Sequence, residues 1–304
     1  MIQDEKQILV FGGTGHYGKK IVEKLLLKGE SVKIVSRNFV KAQEILGESV
    51  EIVEGDVTNQ EIIAKSLENV KAIIICLSAM SNKLFRKMKQ IERDAVLEIM
   101  AQAKKANITR LIYLSGYEIR EQVLQDLNIV GFGEIKLEIE YKISQSDFNW
   151  TILGCAPSME MFFAFIRNGK MSVPGGGLKA IPSIAGEDVG EIVSQVVVRN
   201  DLSSRRLRLT GPEAFNFPEA AKRIALISGM KIKHRSIPLF VVNMVSLLSL
   251  PFVPFVRFLY QSLKLLNNFP EDLAKNVPAD HKILRELFDY KPVTLDSEIK
   301  SRFN

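Results

Sequence analysis

A glycine-rich segment near the start of the chain, Gly12-Gly13-Thr14-Gly15-His16-Tyr17-Gly18, has the residue types and spacing that bind a phosphate group. It follows the apolar run Gln7–Phe11 and precedes an amphipathic stretch, so it stands where a buried strand turns into a helix. Gly12 permits the tight turn, Gly15 lets backbone amides approach a pyrophosphate, and Gly18 allows close helix–strand packing. The helix amino end adds a positive potential. The segment therefore predicts a dinucleotide site. The alternative is a glycine-rich turn that binds no ligand. The residues of the predicted site are Gly12, Thr14, Gly15, His16, Tyr17 and Gly18.

The end of the second predicted strand, Val32–Arg37, carries basic rather than acidic residues, and Lys41 follows four positions later. In dinucleotide-binding folds an acidic side chain here hydrogen-bonds the ribose of NAD(H), whereas a basic one accommodates the 2′-phosphate of NADP(H). The Arg37 guanidinium is a planar fork suited to phosphate. We therefore expect NADP(H) rather than NAD(H), although Arg37 as an exposed strand-end charge is the alternative. Asp56, after the third strand, either accepts from the adenine amino group or caps the next helix.

Composition excludes several other classes of protein. Hydrophobic residues make up 46% of the 304 and charged residues 25%, which is typical of a globular chain rather than a disordered one. Two cysteines, Cys76 and Cys155, build no disulfide framework, and the histidines are too dispersed for a metal site. The net charge of +6 is spread without a basic block, so we expect no nucleic-acid partner. No signal-peptide pattern begins the sequence, and we expect a cytoplasmic protein without a bound metal.

The elements that position these residues alternate over the first 153 positions. Apolar runs that predict strands are Gln7–Phe11, Val32–Arg37, Val50–Val53, Ala72–Leu77, Arg110–Ser115 and Trp150–Leu153. Amphipathic stretches that predict helices lie between them, at His16–Lys28, Val40–Leu46, from Thr58 to about Leu67, and Leu84–Ala106. Strands that are apolar throughout and separated by helices indicate a parallel sheet covered on both faces. The predicted architecture is a doubly wound α/β fold of Rossmann type.

The pattern changes after residue 153. Prolines and glycines break up residues 154–183 into loops and a small hairpin, Asp188 lies in the N-cap region of a helix through Val198, and Arg206–Leu209 alternates like an edge strand. Residues 211–304 are mostly helical in pattern. We therefore expect a dinucleotide-binding domain of residues 1–153 plus about 184–210. Residues 154–183 plus 211–304 would form a smaller, mostly helical lobe over the carboxyl ends of the strands.

Residues 236–256 contain no charged side chain. Their length reaches that of a bilayer span, about 20 residues, but three prolines leave only Leu239–Leu250 as an uninterrupted helix. We expect a packed core helix or an apolar lid over the substrate. A monotopic membrane contact is the first alternative and a true span the second.

Six segments carry a family resemblance: Ile8–Gly18, Val32–Arg37, Glu54–Val57, Leu111–Ser115, Trp150–Leu153 and Thr210–Ala214. Together they resemble the atypical short-chain dehydrogenase/reductases, especially the NmrA-like group with one NAD(P)H-binding domain. The resemblance implies a Rossmann-type fold with the nicotinamide above the strand ends. It also implies that Val57, Leu77 and Ser78 lie along the cofactor. This group includes reductases, redox sensors and assembly factors, so the resemblance does not fix a substrate.

The usual catalytic motif of the wider superfamily, Tyr-x-x-x-Lys, is incomplete here. Its lysine corresponds to Lys136, but Phe132 stands where the general-acid tyrosine belongs and has no exchangeable proton. By resemblance to isoflavone-reductase-like enzymes, Lys136 would act beside the nicotinamide as a base of lowered pKa or orient the substrate, and Ser115 or Tyr117 would touch the carbonyl. Alternatively Lys136 only holds the nicotinamide ribose, or it is an exposed helix lysine paired with Glu140.

These observations lead us to expect an NADPH-dependent oxidoreductase that reduces a small, apolar carbonyl or enone and lacks the usual catalytic tyrosine. The apolar substrate is inferred from the uncharged residues 236–256, which would cover the nicotinamide. The alternative is a non-catalytic NADP(H)-sensing regulator or assembly factor that binds a protein partner. A third possibility is a membrane-associated reductase of a lipid or quinone. The sequence leaves the oligomeric state open.

Overall fold

The computed structural model describes residues 6–117, 119–129, 131–249 and 252–303. Its strands are β1 (Gln7–Phe11), β2 (Val32–Ser36), β3 (Val50–Glu54), β4 (Val70–Ile75), β5 (Arg110–Gly116), β6 (Asn149–Cys155), β7 (Ile166–Arg167), β8 (Lys170–Pro174), β9 (Ile181–Pro182), β10 (Arg205–Leu209), β11 (Ala214–Phe215) and β12 (Lys233–Ile237). Its helices are α1 (His16–Leu27), α2 (Phe39–Leu46), α3 (Gln60–Ser66), α4 (Ala95–Lys105), α5 (Glu121–Asp126), α6 (Phe132–Ser144), α7 (Met161–Ala164), α8 (Gly186–Val196), α9 (Phe217–Ser228), α10 (Leu239–Ser249), α11 (Pro254–Asn267), α12 (Glu271–Leu287) and α13 (Leu295–Phe303).

The central sheet has the strand order β3-β2-β1-β4-β5-β6-β10, and every pairing in it is parallel. Alternate residues of β1 enter two separate cores, with Ile8 and Val10 on one face of the sheet and Leu9 and Phe11 on the other. Both faces are therefore covered, which explains why the strands are apolar throughout. The strand order reverses between β1 and β4, and ligands of such sheets bind in the crevice at the carboxyl ends of the strands there.

The predicted doubly wound parallel sheet is confirmed, and each predicted strand matches an observed one to within two residues at either end. The predicted helix Leu84–Ala106 is present but is not regular throughout. The structure divides it into a 3₁₀ turn at Phe85–Lys87, a π-helical turn at Gln90–Asp94 and then α4. A π turn inserts an extra residue, so it rotates the side chains before it relative to those of the following helix.

Smaller elements complete the carboxyl-terminal half. Strands β9 and β11 pair antiparallel, while β8 pairs with β7 antiparallel and with β12 in parallel. Helix α13 packs on α9, and α12 packs on β10. Asp188 is not the N-cap, which is Ala185; its carboxylate lies buried in the first turn of α8 and accepts a hydrogen bond from the Val293 backbone N–H at 3.1 Å.

Helix α10 differs from both main expectations for residues 236–256. It packs on α11, yet Ser246 is its one fully buried side chain among those described. The expectation of a packed core helix is therefore wrong, because the large apolar side chains of α10 face outwards. Of the helices within the described ranges, none combines the length and the apolar character needed to cross a membrane.

Candidate functional site

A cleft of about 810 Å³ opens at the carboxyl ends of the central strands. This volume lies in the range of ligand sites, about 300–1,000 Å³. The glycine-rich turn after β1 forms one wall, the ends of β2 and β3 form the floor at one side, and α6 and α11 enclose the other side. The cleft thus occupies the crevice that the strand order predicts.

The glycine-rich turn adopts a conformation that larger residues would not permit. Gly12 has a φ of +89°, and a Cβ there would lie 2.7 Å from the Cys76 carbonyl oxygen. A Cβ on Gly18 would lie 2.0 Å from the Gly12 oxygen, so α1 packs directly against the turn. Gly12, Thr14, Gly15, His16 and Tyr17 line the cleft, whereas Gly18 does not and acts through packing alone.

Two side chains at the start of α1 tie the turn to the segment after β6. His16 Nε2 lies 3.0 Å from Ser158 Oγ, and the Tyr17 hydroxyl donates to the Ala156 carbonyl at 3.2 Å. These contacts fix the amino end of α1 at the cleft, where its dipole would stabilise an anion.

At the end of β2, Arg37 and Lys41 are exposed and line the cleft. Within the described residues neither side chain forms an ion pair, so both charges are available to a phosphate. Asp56 also lines the cleft, but Asn59 rather than Asp56 caps α3, so the capping alternative is wrong. Burial alone raises the pKa of Asp56, but hydrogen bonds from Thr58 and the nearby charge of Arg37 outweigh it and keep the pKa below its ordinary value.

Lys136, on α6, is buried and forms an ion pair with Glu92 from the π turn, with Nζ 3.2 Å from Oε2. The other Glu92 oxygen accepts from the Ala79 backbone N–H at 2.6 Å. Burial by itself lowers the pKa of Lys136, but Tyr113 and Glu92 outweigh it and hold the pKa above its ordinary value. The expectation that Lys136 acts as a base of lowered pKa is therefore wrong, because the ion pair with Glu92 stabilises its charged form. The pairing with Glu140 is also wrong, because Glu140 binds Arg206 at 2.7 Å.

Ser115, at the end of β5, is buried at the cleft with a hydroxyl that has no hydrogen-bond partner among the described residues. Beside it, Phe132 packs edge-on against Phe258 of α11, with ring centroids 5.8 Å apart. Cys76 also lines the cleft, and burial raises its pKa to about 12, so it remains a thiol. An unpartnered buried hydroxyl in the same cleft as a buried ammonium suits an oxygen-bearing ligand.

Tyr117 does not belong to this cluster. It does not line the cleft, its side chain is fully buried, and its hydroxyl donates to the Asp280 carboxylate at 2.5 Å. Burial, together with Asp280, raises the pKa of Tyr117. The expectation that Tyr117 touches a substrate carbonyl is therefore wrong, because the chain turns away from the cleft after β5 and directs this ring into the core against α12.

Val57, Leu77 and Ser78 all line the cleft, as the resemblance implied. Sequence reasoning missed Glu92, which lay inside an apparently regular helix, and it missed α11 as the apolar wall. Residues of α11, rather than 236–256, cover this end of the cleft: Phe258, Gln261, Ser262, Leu265 and Leu266. In the described part of the chain, no group of three His, Cys, Asp or Glu side chains is placed to hold a metal ion.

The turn, the strand order and the cleft define a dinucleotide-binding protein of Rossmann type. A family model for NAD(P)H-binding proteins matches residues 12–197, and the chain belongs to that family. Its fold is shared with solved reductases and with a nucleoside-diphosphate-sugar epimerase.

The proteins that this chain resembles have different named functions. The chain is 24% identical to the photosystem II assembly factor Ycf39 of Trieres chinensis over 93% of this chain and 91% of that protein. It is similar to an NADPH-dependent quinone oxidoreductase of Escherichia coli solved with NADPH (TM-score 0.75, 18% identity, 98% of this chain and 100% of that one). It is also similar to a nucleoside-diphosphate-sugar epimerase of Staphylococcus aureus (TM-score 0.75, 19% identity, 97% and 99%). At these identities the structures establish the shared fold.

Proposed function

We propose that the protein is an NADPH-dependent reductase of a small, apolar carbonyl or enone compound. The observation that carries this proposal is the cleft itself. At one end it holds a glycine turn and two cations that pair with no carboxylate in the described ranges. At the other end it holds a buried ammonium, a hydroxyl without a hydrogen-bond partner in those ranges, and an apolar wall.

The cofactor half of the cleft fits NADP(H) better than NAD(H). Arg37 and Lys41 would hold the 2′-phosphate, since no carboxylate at the end of β2 would instead bind the ribose hydroxyls. Asp56 would accept from the adenine amino group. Lys136 would donate to the nicotinamide ribose, and a bound nicotinamide supplies the hydride for the reduction.

The substrate half would act through binding and charge. The rings of Phe132 and Phe258 exclude water from one side, which strengthens every polar interaction inside. The Ser115 hydroxyl would donate to the substrate oxygen, and the Lys136 ammonium would stabilise the negative charge that develops there. Because Phe132 has no proton to give and Glu92 holds Lys136 in its charged form, the proton that completes the reduction would come from solvent.

Titration with NADPH and NADH, followed by nicotinamide fluorescence, tests the cofactor half. Losing a charge-assisted contact costs about 1.5–3 kcal/mol, so Arg37→Ala should lower NADPH affinity about 10- to 100-fold towards that of NADH. Arg205→Ala removes an exposed arginine on β10, away from the cleft, and should change nothing. Unchanged NADPH affinity in Arg37→Ala would contradict the assigned 2′-phosphate contact.

The substrate half is tested by NADPH oxidation with a panel of quinones, enones and aromatic aldehydes. We expect turnover with at least one class, and a decrease in kcat for Ser115→Ala with NADPH affinity retained. NADPH binding without turnover across the panel would reject the reductase proposal while leaving the cofactor site intact.

A second candidate function is a regulator or assembly factor that binds a protein partner according to NADP(H) occupancy. Phe132 in place of the phenol favours it, and so does the similarity to a photosystem II assembly factor over most of the chain. Affinity capture with and without NADPH tests it: a partner released or retained by NADPH, in a protein without turnover, would support this function. The cytoplasmic location stays a prediction.

A further inference from the structure

Helix α10 carries an unusually apolar exposed surface. We call the α10 surface the following side chains, each at least half exposed: Phe240, Met244, Val245, Leu247, Leu248 and Phe252. Leu248 and Phe252 are each 77% exposed. Exposed apolar side chains that occur singly need no explanation, but a contiguous patch of this kind marks a binding surface.

The charged residues that flank α10 along the chain all have one sign. Between Glu219 and Glu271 the sequence contains no aspartate or glutamate. On the side where the chain enters α10, Lys231, Lys233 and Arg235 are exposed on or next to β12. An apolar helix flanked along the chain by cations matches a surface that is apolar inside and negatively charged outside.

A second group of cations borders the other end of α10. The 3₁₀ turn and its neighbours expose Lys83, Arg86, Lys87 and Lys89, of which Lys87 also lies near Asp56 and Lys89 near Glu138. The Arg86 guanidinium donates to the Phe252 carbonyl at 3.0 Å, which fixes this basic turn beside the apolar end of the surface. Phe85 packs on Phe255 of α11 with ring centroids 5.8 Å apart, which holds the 3₁₀ turn against α11.

We propose that the α10 surface docks on an anionic lipid membrane, with α10 lying in the plane of the interface and the flanking cations on the lipid headgroups. The 11 residues of α10 are too few to cross a bilayer, which takes about 20. Membrane-surface helices combine an inserted apolar face with Lys and Arg at the headgroup level, as here.

A second copy of the chain fits this surface less well than a membrane. A symmetric dimer places the same patch of both chains together, and here that would oppose cations to cations without any carboxylate between Glu219 and Glu271 to compensate. A protein interface usually has a polar rim around its apolar core, so a protein partner would need polar groups along α10 to pair with its own. On α10 the Asn243 amide oxygen is already bound by Arg257 at 2.9 Å.

Vesicle flotation of the full chain tests the proposal. We expect the protein to float with vesicles rich in phosphatidylglycerol, to bind phosphatidylcholine vesicles only weakly, and to be partly released by high salt, because charge attraction is screened. Each surface cation is worth about 1 kcal/mol, or about a fivefold change. Lys233→Glu/Arg235→Glu should therefore lower partitioning at least about 25-fold, while Lys65→Glu/Lys105→Glu, which reverses two exposed charges elsewhere, should have little effect.

The apolar contribution is tested by Leu248→Asp/Phe252→Asp, which should abolish flotation. Leu226→Asp, at an 82% exposed leucine on α9, is the matched control and should float like the wild type. Thermal unfolding by circular dichroism checks that each variant is folded. Equal binding to neutral and anionic vesicles, or flotation retained in Leu248→Asp/Phe252→Asp, would overturn the proposal. So would a stable dimer that this variant dissociates, since a second copy would then cover the surface.

Discussion

The buried pair of Lys136 and Glu92 makes a quantitative prediction about stability. The side chains of these residues are 8% and 0% exposed, and Nζ lies 3.2 Å from Oε2. Lys136→Met keeps the length of the side chain but leaves the Glu92 carboxylate in the core with one hydrogen bond, from Ala79. Because an unpaired charge is costly there, the folded variant will take up a proton at this carboxyl instead.

The cost of taking up this proton determines how much stability the Lys136→Met variant loses. A glutamate in an unfolded chain has a pKa of about 4.3, and each unit between this value and the working pH costs about 1.36 kcal/mol. The loss in the free energy of unfolding is therefore about 3.7 kcal/mol at pH 7 and about 1 kcal/mol at pH 5. With roughly 2.1 cal/mol/K of unfolding entropy per residue and 304 residues, the unfolding temperature falls by about 6 °C at pH 7 and about 1.5 °C at pH 5.

The sign follows from linkage: the folded variant binds a proton that the unfolded chain releases, so the stability of the variant falls as pH rises. Thermal and urea unfolding at pH 5, 6, 7 and 8, followed by circular dichroism, measure it. Lys104→Met breaks an exposed pair with Asp147 and should have little effect on stability at any pH, because water screens such a pair. Adding Glu92→Gln to Lys136→Met should remove the pH dependence. A loss in Lys136→Met that does not change with pH, or that Glu92→Gln leaves in place, would refute the reasoning.

Two further predictions concern other buried groups. Burial raises the pKa of Asp188 to about 7, against the hydrogen bond from Val293, so its contribution to stability is full below about pH 4 and lost as pH rises through 7. Urea unfolding should show Asp188→Asn gaining up to about 4 kcal/mol over the wild type between pH 4 and pH 8, and equal gains at both would contradict this. Gly18→Ala places a Cβ 2.0 Å from the Gly12 oxygen and should cost at least about 1–3 kcal/mol and weaken NADPH binding. Gly186→Ala, whose Cβ meets Lys20 at 3.4 Å, is the control for thermal unfolding and should be close to neutral.

The sequence predicts well what depends on neighbouring residues. Apolar runs locate the central strands, and the glycine turn between Phe11 and His16 lies where a strand–turn–helix unit requires it. Arg37 and Lys41 are found at the cleft because a parallel strand delivers its carboxyl end to that edge of the sheet. The division into a larger domain and a smaller lobe stays a prediction.

Residues brought together by irregular backbone were not predictable in this way. Glu92 faces Lys136 only because a π turn rotates it inwards, and helical periodicity alone gives no sign of that turn. Tyr117 lies one residue beyond β5, where strand alternation no longer fixes the direction of a side chain. For α10, an apolar composition is equally compatible with a buried and an exposed helix, so only the packed structure distinguishes them.

Helix α11 connects the cleft to the α10 surface, because Phe258 and Leu265 line the cleft while its other side packs on α10. Because protein interiors are close-packed, a ligand that displaces α11 at the cleft would also displace α10, which packs on it. Such a coupling is reciprocal by thermodynamic necessity: whatever factor one partner imposes on the affinity of the other, it receives in return. If the α10 surface docks on a membrane as proposed, NADPH binding and membrane attachment would therefore change each other's affinity by the same factor.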